Sequence, residues 1–515
     1  SLHDALPISL IISFVVSIAA FMEILDTTVT NVALTHIAGD LSAGMEESTW
    51  ILTSYLVTNA IILPVSGWCS EKFGRKRYFI ACIAGFTLAS FLCGIATSLP
   101  ALVFFRLIQG LAGGGLQPSQ QAIIKDSFPP QKLGSAFAIV GIVNVCAPIL
   151  GPALGGYITD NLSWRWIFFI NVPVGILTAV LVKKLVPDSQ HETASSSIDY
   201  IGFVMLAVGL GTLQVALDNA QQYDWFASSG ITALFAISFI SIIATIIWLL
   251  RQKNPIVNIR LFKIPRFAIG CIMMFFTGTL VNVSVMLLPM LVQKYFGYDA
   301  TTAGLILVPG GIIILLLMPV TGKSLKIFKP KYLIAFGMFV STGSMLFSEG
   351  ISLQSDKTYF TLVRVLQILG SPFLFVPTLA VAFSDISTKE SNNASAIISL
   401  MKNLGGSFGI SLITSYLDHR QQIEQSYLAS HLTFDHIGYA LGLNQYTAVI
   451  QNLHIPSLLS SNTAAYGTMM KLYQSLQLQA DILAYIDTFR LLGCLFLALA
   501  FVALALPAGN KQVAK

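Results

Sequence analysis

Long apolar runs separated by short polar segments dominate the chain. A transmembrane helix needs about 20 predominantly apolar residues, and fourteen runs of that kind occur in groups of six, two and six. The pattern therefore predicts an all-α integral membrane protein. The predicted spans lie near 9–35, 48–69, 77–98, 100–124, 134–159, 166–186, 199–217, 229–250, 266–292, 302–322, 331–350, 359–384, 395–417 and 484–507.

Composition supports a membrane environment. The chain has 515 residues, of which 55% are hydrophobic and 10% are charged, whereas soluble domains carry about 25% charged residues. Residues 1–7 precede the first run and are set aside, because the chain does not begin with Met. The first run is long enough to span and has no small-residue cleavage site followed by polar sequence, so we interpret it as a retained helix.

The distribution of basic residues predicts the topology. With the N-terminus inside, the cytoplasmic segments hold twenty Lys and Arg residues. The opposite loops hold only Arg165, Lys294, Lys357, Arg420 and Lys471. Cytoplasmic loops of membrane proteins are enriched in these residues, so both termini are predicted to be cytoplasmic. The net charge of +5 then needs no nucleic-acid partner.

The two groups of six spans resemble each other. Arg-Leu-Ile-Gln at 106–109 returns as Arg-Val-Leu-Gln at 364–367. Repeated halves with a substrate site between them are typical of transporters. We predict an N-terminal six-helix bundle at 8–187, two inserted transmembrane helices at 198–251 and a C-terminal six-helix bundle at 265–508.

The segment 418–484 departs from this pattern, because it is long, polar and Gln-rich. We predict a long periplasmic loop here. Apolar residues at helical spacing between 464 and 485 indicate an amphipathic helix that leads into the last span. The segment is either a solvated loop or a docking surface for a partner outside the cytoplasm.

Two carboxylates interrupt the first span. Glu23 and Asp26 are three residues apart, which predicts that they share one helix face. A charged group at the bilayer centre costs about 2.5–3.5 kcal/mol on insertion scales, and such residues mark ion or proton pathways. Burial favours the protonated form of a carboxylic acid. We therefore predict that Asp26 and Glu23 take part in proton coupling, the alternative being a structural hydrogen bond between helices.

Arg106 is the only basic residue in the first six spans that lies away from their ends. An intramembrane arginine needs a partner, and Asp26 or the backbone of the first helix is the expected one. Protonation of Asp26 would weaken that contact and link proton binding to helix movement. The alternative is a fixed tie between helices.

Two further stretches have the features of segments that change conformation or that pack closely against a neighbouring helix. The loop 67–77 contains Gly67, Glu71, Gly74 and Arg75 between the second and third spans, and is either a basic membrane anchor or a conformational latch. The fifth span holds a second set of helix-breaking and small residues, which predicts a bent helix that a neighbour approaches closely. This set consists of Pro148, Gly151, Pro152, Gly155 and Gly156.

Taken in order, these motifs resemble the major facilitator superfamily. The loop 67–77 is similar to the family's G-x-L-A-D-R-x-G-R-K-R motif, and Arg106 lies in a stretch like its fourth-helix motif. The stretch 148–156 resembles the antiporter motif of the fifth helix, and we expect it to form a pliable, close-packed seam between the bundles that limits proton leak. Residues 25–34, 164–173 and 402–407 resemble the fourteen-span drug:proton antiporters of the EmrB/QacA type, with the long last loop most like EmrB.

This resemblance implies a major facilitator fold of two six-helix bundles plus two inserted helices. It implies a proton-driven multidrug efflux transporter of the inner membrane that works by alternating access, without a cofactor beyond the proton gradient. The first-helix acidic residue and the fourth-helix arginine of such families are tied to proton coupling, which gives those roles to Asp26 and Arg106. The resemblance also implies a periplasmic adaptor (EmrA-like) and an outer-membrane channel (TolC-like).

The remaining predictions concern substrate and alternatives. Asn31, Gln117 and Gln121 are candidate polar groups in a mostly apolar substrate cavity. The first rival function is export of one defined metabolite, such as a siderophore, a fatty acid or a bile salt. The second is a non-transporting receptor on the same scaffold. No phosphate-binding loop, metal cluster or Ser-His-Asp arrangement indicates an enzyme, and no segment is long enough for a nucleotide-binding domain.

Overall fold

The computed structural model describes residues 2–129, 132–187, 199–431 and 461–505. Within these ranges fourteen helices are long and apolar enough to cross a membrane, which confirms the predicted number of spans. The helices are α1 (Ser9–Asp40), α2 (Trp50–Phe73), α3 (Arg75–Gly94), α4 (Leu99–Ser127), α5 (Leu133–Asn161), α6 (Trp166–Leu185), α7 (Tyr200–Asn219), α8 (Ser229–Arg251), α9 (Pro265–Phe296), α10 (Thr301–Ser324), α11 (Pro330–Gly350), α12 (Lys357–Phe383), α13 (Ser391–Ser430) and α14 (Met470–Leu504).

Acidic residues cap the N-termini of α7, α10 and α12. The carboxylate of Asp199 accepts a hydrogen bond from the N–H of Gly202 at 2.9 Å. The carboxylate of Asp299 accepts a hydrogen bond from the N–H of Thr302 at 3.2 Å, and that of Asp356 accepts one from the N–H of Tyr359 at 2.9 Å. Such caps satisfy backbone donors that lack a partner within the helix. Hydrogen bonds from Thr302 lower the pKa of Asp299, and the bond from the N–H of Tyr359 lowers that of Asp356.

The helices form two bundles, α1–α6 and α9–α14, which meet along α5 and α10. Small residues make this seam tight. A Cβ atom added to Gly304 of α10 would lie 2.6 Å from the Cα of Ala153, and one added to Gly322 would lie 2.8 Å from the carbonyl oxygen of Gly134. Small residues at such crossings let helix backbones approach closely. The seam therefore joins the bundles by direct backbone contact.

The inserted pair, α7 and α8, lies against the outside of the bundles. Helix α7 packs against α2 of the first bundle and α13 of the second. The side chain of Gln214 donates to Ser407 Oγ at 3.1 Å, and Ser411 Oγ donates to the carbonyl oxygen of Leu217 at 2.8 Å. Helix α8 is only 17% buried along its most apolar stretch, which leaves it facing lipid.

The segment predicted as a polar loop at 418–484 is largely helical where the structure describes it. Helix α13 continues to Ser430, and one helix runs from Ser461 to Ala505 without a break before the last span. The helix predicted at 464–485 is therefore confirmed, and it is continuous with α14. Gln, Leu and Lys are good helix formers, which explains why this polar sequence extends the helices. Residues 432–460 lie outside the described part.

Candidate functional site

A buried ion pair lies inside the first bundle. Arg106 Nη1 donates to Asp26 Oδ2 at 2.5 Å, and both side chains are 0% exposed. Arg106 Nε donates to the carbonyl oxygen of Ile51 in α2 at 3.1 Å. The predicted contact between Arg106 and Asp26 is therefore present. It ties α4 to α1 and α2, with both side chains buried.

Two amides complete the surroundings of Asp26. Asp26 Oδ1 accepts from Gln109 Nε2 at 3.1 Å and from Asn171 Nδ2 at 2.8 Å. Gln109 Oε1 in turn accepts from Arg106 Nη1 at 2.8 Å. These donors stabilise the negative charge of Asp26. Sequence reasoning missed both amides. Gln109 follows Arg106 by three residues and so shares its face, but only the packing of α6 reveals the role of Asn171.

Glu23 faces a different environment from Asp26. Its Oε1 accepts from Asn59 Nδ2 of α2 at 3.0 Å, and it lines the cavity between the bundles. The prediction that the two carboxylates share one face is thus only approximate. Residues three apart on a helix point about 60° away from each other. That angle is enough to turn Asp26 into the first bundle and Glu23 towards the second.

A cavity of about 970 Å³ separates the two bundles. Its surface is mostly apolar and comes chiefly from α1, α2 and α5 on one side and from α9 and α13 on the other. This volume suits a drug-sized molecule. Asn31 and Gln117, the two polar residues predicted for a substrate cavity on this side, line this cavity. Gln121 does not line it and instead donates to Ser399 Oγ of α13 at 3.2 Å.

Lys402 of α13 brings a positive charge to this cavity. Its Nζ donates to Gln117 and Asn144, both in the first bundle, and it interacts electrostatically with Glu23. Sequence reasoning used Lys402 only as part of a motif. The signal that identifies it is its position as the only basic residue between 395 and 417. The cavity therefore brings the carboxylate of Glu23 and the ammonium group of Lys402 together from opposite bundles.

Contacts between the bundles close one end of the cavity, where the loop 67–77 lies. Arg75 Nε donates to Asn392 Oδ1 at 2.7 Å, and Arg75 also pairs with Asp126. Asn393 Nδ2 donates to Glu71 Oε1 at 2.9 Å. The conformational residues predicted in this loop thus bind the start of α13 in the second bundle.

A lysine and two glycines complete this closed end. Lys125 Nζ donates to Ser391 Oγ at 2.7 Å and to the carbonyl oxygen of Ile386 at 2.8 Å. A Cβ on Gly67 would lie 3.1 Å from the backbone of Asn393, so the helices touch there. Gly74 has a φ of 83°, a region that glycine occupies without strain. At the opposite end the cavity extends to residues near the ends of α1 and α9, including His36 and Lys294.

Removal of Arg75 should loosen this closed end. We expect Arg75→Ala to raise labelling of a cysteine placed at Ser399 by a membrane-impermeant maleimide about 5-fold or more, as follows from a loss of about 1 kcal/mol. Labelling would be measured from the side of the loop 67–77, with the native cysteines replaced. Arg77→Ala in the same loop is the control and should leave labelling unchanged. Equal labelling in both variants would contradict a latch.

The glycines of α5 pack within the first bundle. A Cβ on Gly151 would lie 2.0 Å from Thr28 Oγ1, and one on Gly155 would lie 3.3 Å from the Cα of Val29. The predicted close-packed seam between the bundles is present in this stretch at Ala153, where a Cβ on Gly304 of α10 would lie 2.6 Å from its Cα, but Gly151 and Gly155 themselves face α1. Their face meets α1, whereas a different face of α5 meets α10.

The other residues of this stretch have separate places. The two prolines, Pro148 and Pro152, line the cavity, while Gly156 is buried in α5. Helix α5 therefore presents one face to α1, a second to α10 and a third to the cavity. Among the described residues, no group of three or more His, Cys, Asp or Glu side chains is placed to hold a metal ion.

Comparison with known proteins agrees with this architecture. Residues 16–410 match the Major Facilitator Superfamily model. The chain is 36% identical to the multidrug export protein EmrB of Haemophilus influenzae over 425 residues, which cover 82% of this chain and 83% of that protein. It is 35% identical to the fatty acid resistance protein FarB of Neisseria gonorrhoeae over 426 residues, covering 81% and 82%.

A solved structure shows the same fold at low identity. The proton:xylose symporter XylE has a TM-score of 0.56 and 17% identity, with 84% of this chain and 91% of that chain covered. This likeness supports the arrangement of two six-helix bundles around a central cavity. The family model and the relatives above show that the chain is a multi-pass membrane transporter. The chain belongs to the major facilitator superfamily, in the branch that contains the multidrug export proteins of the EmrB type.

Proposed function

We propose that this protein exports hydrophobic and amphiphilic toxic compounds in exchange for protons. The observation that carries the proposal is the buried Asp26–Arg106 pair next to a cavity of about 970 Å³ between two bundles. Relatives named multidrug export proteins support the substrate class. The excess of Lys and Arg in alternate loops supports an inner-membrane location with both termini in the cytoplasm.

The contacts of Asp26 support proton coupling at this residue. When Asp26 takes up a proton, its charge is lost and the ion pair with Arg106 weakens. Helix α1 also carries Glu23, which faces the cavity, so a shift of α1 reaches the substrate site directly. The carboxylate of Asp26 holds the proton, Arg106 responds to it, and Gln109 and Asn171 keep the carboxylate oriented.

Alternating access then requires the closed end to open. The contacts of Arg75, Glu71 and Lys125 with the second bundle would break, while contacts at the other end of the cavity would form. The bundles would rock about the seam between α5 and α10, as in other transporters built from repeats. In this proposal, with the loop 67–77 on the cytoplasmic side, the described conformation is the state open away from the cytoplasm.

Substrate-driven proton release in proteoliposomes tests this function. Purified protein would be reconstituted with a pH-sensitive dye inside the vesicles, and amphiphilic compounds would be added. We expect a pH change that depends on both the protein and the compound, and uptake of the compound that stops when the pH gradient is dissipated. Uptake unaffected by the gradient would contradict proton exchange. Substrate binding without any transport would favour the receptor alternative.

Export of a defined metabolite is the second candidate, and two observations favour a fatty acid. FarB, a fatty acid resistance protein, is 35% identical to this chain. The ammonium group of Lys402 in a mostly apolar cavity can bind a carboxylate. Transport of single compounds in a strain that lacks its own pumps would distinguish a narrow substrate range from a broad one.

Replacement of Lys402 tests its part in substrate choice. We expect Lys402→Met to raise the apparent KM about 10-fold or more for carboxylate amphiphiles, since a hydrogen bond to a charged group contributes about 1.5–3 kcal/mol. The KM for neutral amphiphiles of similar size should change little. Lys402→Arg retains the charge and is the control. Equal losses for both compound classes would show that Lys402 serves structure only.

We also propose that the extended ends of α13 and α14 face a periplasmic adaptor (EmrA-like), which in turn contacts an outer-membrane channel (TolC-like). These helix ends are held together by an ion pair of Arg420 with Asp487 and by a 2.8 Å hydrogen bond from Gln425 to Tyr473. Such rigid extensions suit docking better than a free loop. Co-purification with an adaptor from the same cell, reduced by Tyr473→Ala and Tyr427→Ala together, would test the proposal.

A further inference from the structure

The second bundle repeats the ion-pair site of the first, with one change. Arg106 corresponds to Arg364 and Gln109 to Gln367, each 258 residues later. The same offset relates Ser90 to Ser348. These positions keep their residue types in both halves. The position of Asp26, however, is occupied by Ser284 in the second half.

The arginine contact is the same in the two sites, whereas the glutamine contact differs, because Gln109 Nε2 donates to Asp26. Arg364 Nη1 donates to Ser284 Oγ at 3.2 Å, just as Arg106 Nη1 donates to Asp26. Gln367 Nε2 donates to Ser348 Oγ at 3.1 Å. The second site is therefore built on the same plan. It holds the arginine in place without a carboxylate.

The charge of Arg364 is buried and uncompensated. Its side chain is 0% exposed, and its Nε and Nη2 atoms have no hydrogen-bond partner among the described residues. The described Asp and Glu side chains form no ion pair with it within 4.0 Å. A guanidinium group keeps its charge in proteins. Burying a charge costs free energy unless an opposite charge lies beside it. An anion bound next to Arg364 would therefore stabilise this site.

We propose that a small monovalent anion, with chloride as the probe, binds to Arg364 in the second bundle. The Nε and Nη2 atoms donate to it, while Ser284 fixes the guanidinium group by accepting from Nη1. The anion compensates the positive charge of Arg364, as the carboxylate of Asp26 compensates that of Arg106 in the first bundle. Neither Arg364 nor Ser284 lines the cavity between the bundles, which favours an inorganic ion over the head group of a substrate.

Thermal stability in different salts tests this site. The wild-type protein in detergent should have a Tm about 1–3 °C higher in sodium chloride than in sodium gluconate at equal ionic strength, rising with chloride concentration. Ser284→Asp supplies a carboxylate at the same place. In that variant the difference between the two salts should disappear. Ser284→Asn adds a similar volume without charge and should keep the difference.

Direct measurement of halide binding keeps the proposal open to refutation if Ser284→Asp does not fold. The wild-type protein should bind about one radioactive chloride ion per chain, displaced by bromide but not by gluconate. Anomalous scattering from bromide should lie beside Arg364. Equal Tm values in both salts, no bound halide, or a halide located elsewhere would each overturn the proposal. Because none of these readouts requires transport, they do not depend on the proposed function.

Discussion

In proteoliposomes, Asp26→Asn is expected to abolish substrate-driven proton release while the protein remains inserted in the membrane. Asparagine keeps the shape of aspartate but cannot bind and release a proton. Its oxygen can still accept a hydrogen bond from Arg106, although the charge that holds the guanidinium group is lost. Breaking a buried pair in this way typically costs about 3–5 kcal/mol, so we also expect a lower Tm. Release would be followed with an internal pH-sensitive dye.

Asp40→Asn is the matched control for this experiment, since Asp40 lies at the end of the same helix. Its carboxylate accepts from Arg165 and from Trp164 at the surface, and it is about half exposed. Proton release should persist in this variant. If Asp26→Asn coupled as well as the wild type, the assignment of proton coupling to Asp26 would be wrong. If neither variant released protons, the loss would instead reflect a disturbed structure of α1.

Among substitutions of uncharged residues, Gly151→Leu is expected to cause the largest loss of transport activity. Any side chain at this position would overlap Thr28, because an added Cβ lies 2.0 Å from Thr28 Oγ1 and 2.5 Å from its Cβ. Overpacking typically costs about 1–3 kcal/mol. Here it would separate α5 from α1 near Asp26 and the cavity. We expect transport to fall at least about 10-fold, with membrane insertion retained, as measured by uptake and by protein level in the membrane.

Gly343→Leu provides the control, because Gly343 lies within helix α11 and an added Cβ would meet no atom within 4 Å. Both changes put leucine in place of a helical glycine, so they share the effect on helix propensity. Only Gly151→Leu creates a steric overlap. Gly151→Ala should give an intermediate loss. Equal transport by the variants at 151 and 343 would show that the close approach of α1 and α5 is not required.

The sequence alone predicts the membrane fold well, for a simple physical reason. A protein segment that crosses a bilayer must be a long apolar helix or part of a closed barrel. Each of the fourteen helices is therefore visible as an apolar run in the sequence, whatever helices it packs against. The repeat of Arg106 at Arg364 also survives in the sequence, because both halves fold in the same way. The polar segment before α14 is not recognised as part of a long helix by its hydropathy, because its residues favour a helix without being apolar.

Charged residues inside spans could be found from sequence, but their partners could not. Asp26 and Arg106 are conspicuous because charges are rare at that depth. Asn171 is one polar residue among many, and its contact with Asp26 depends on how α6 packs against α1. Gln121 is a second example of a position that the sequence does not specify. It is polar like Gln117, yet it does not line the cavity.

What the sequence by itself determined was the number of spans, the repeat of the two halves and the buried charges, since each depends on local composition or on order along the chain. The tertiary structure decided which charges meet. It put Asp26 with Arg106, brought Lys402 from the second bundle to Gln117 of the first, and turned the glycines of α5 towards α1. It also left Arg364 with a serine. These pairings depend on helix rotation and packing between distant segments, which periodicity along one helix does not specify.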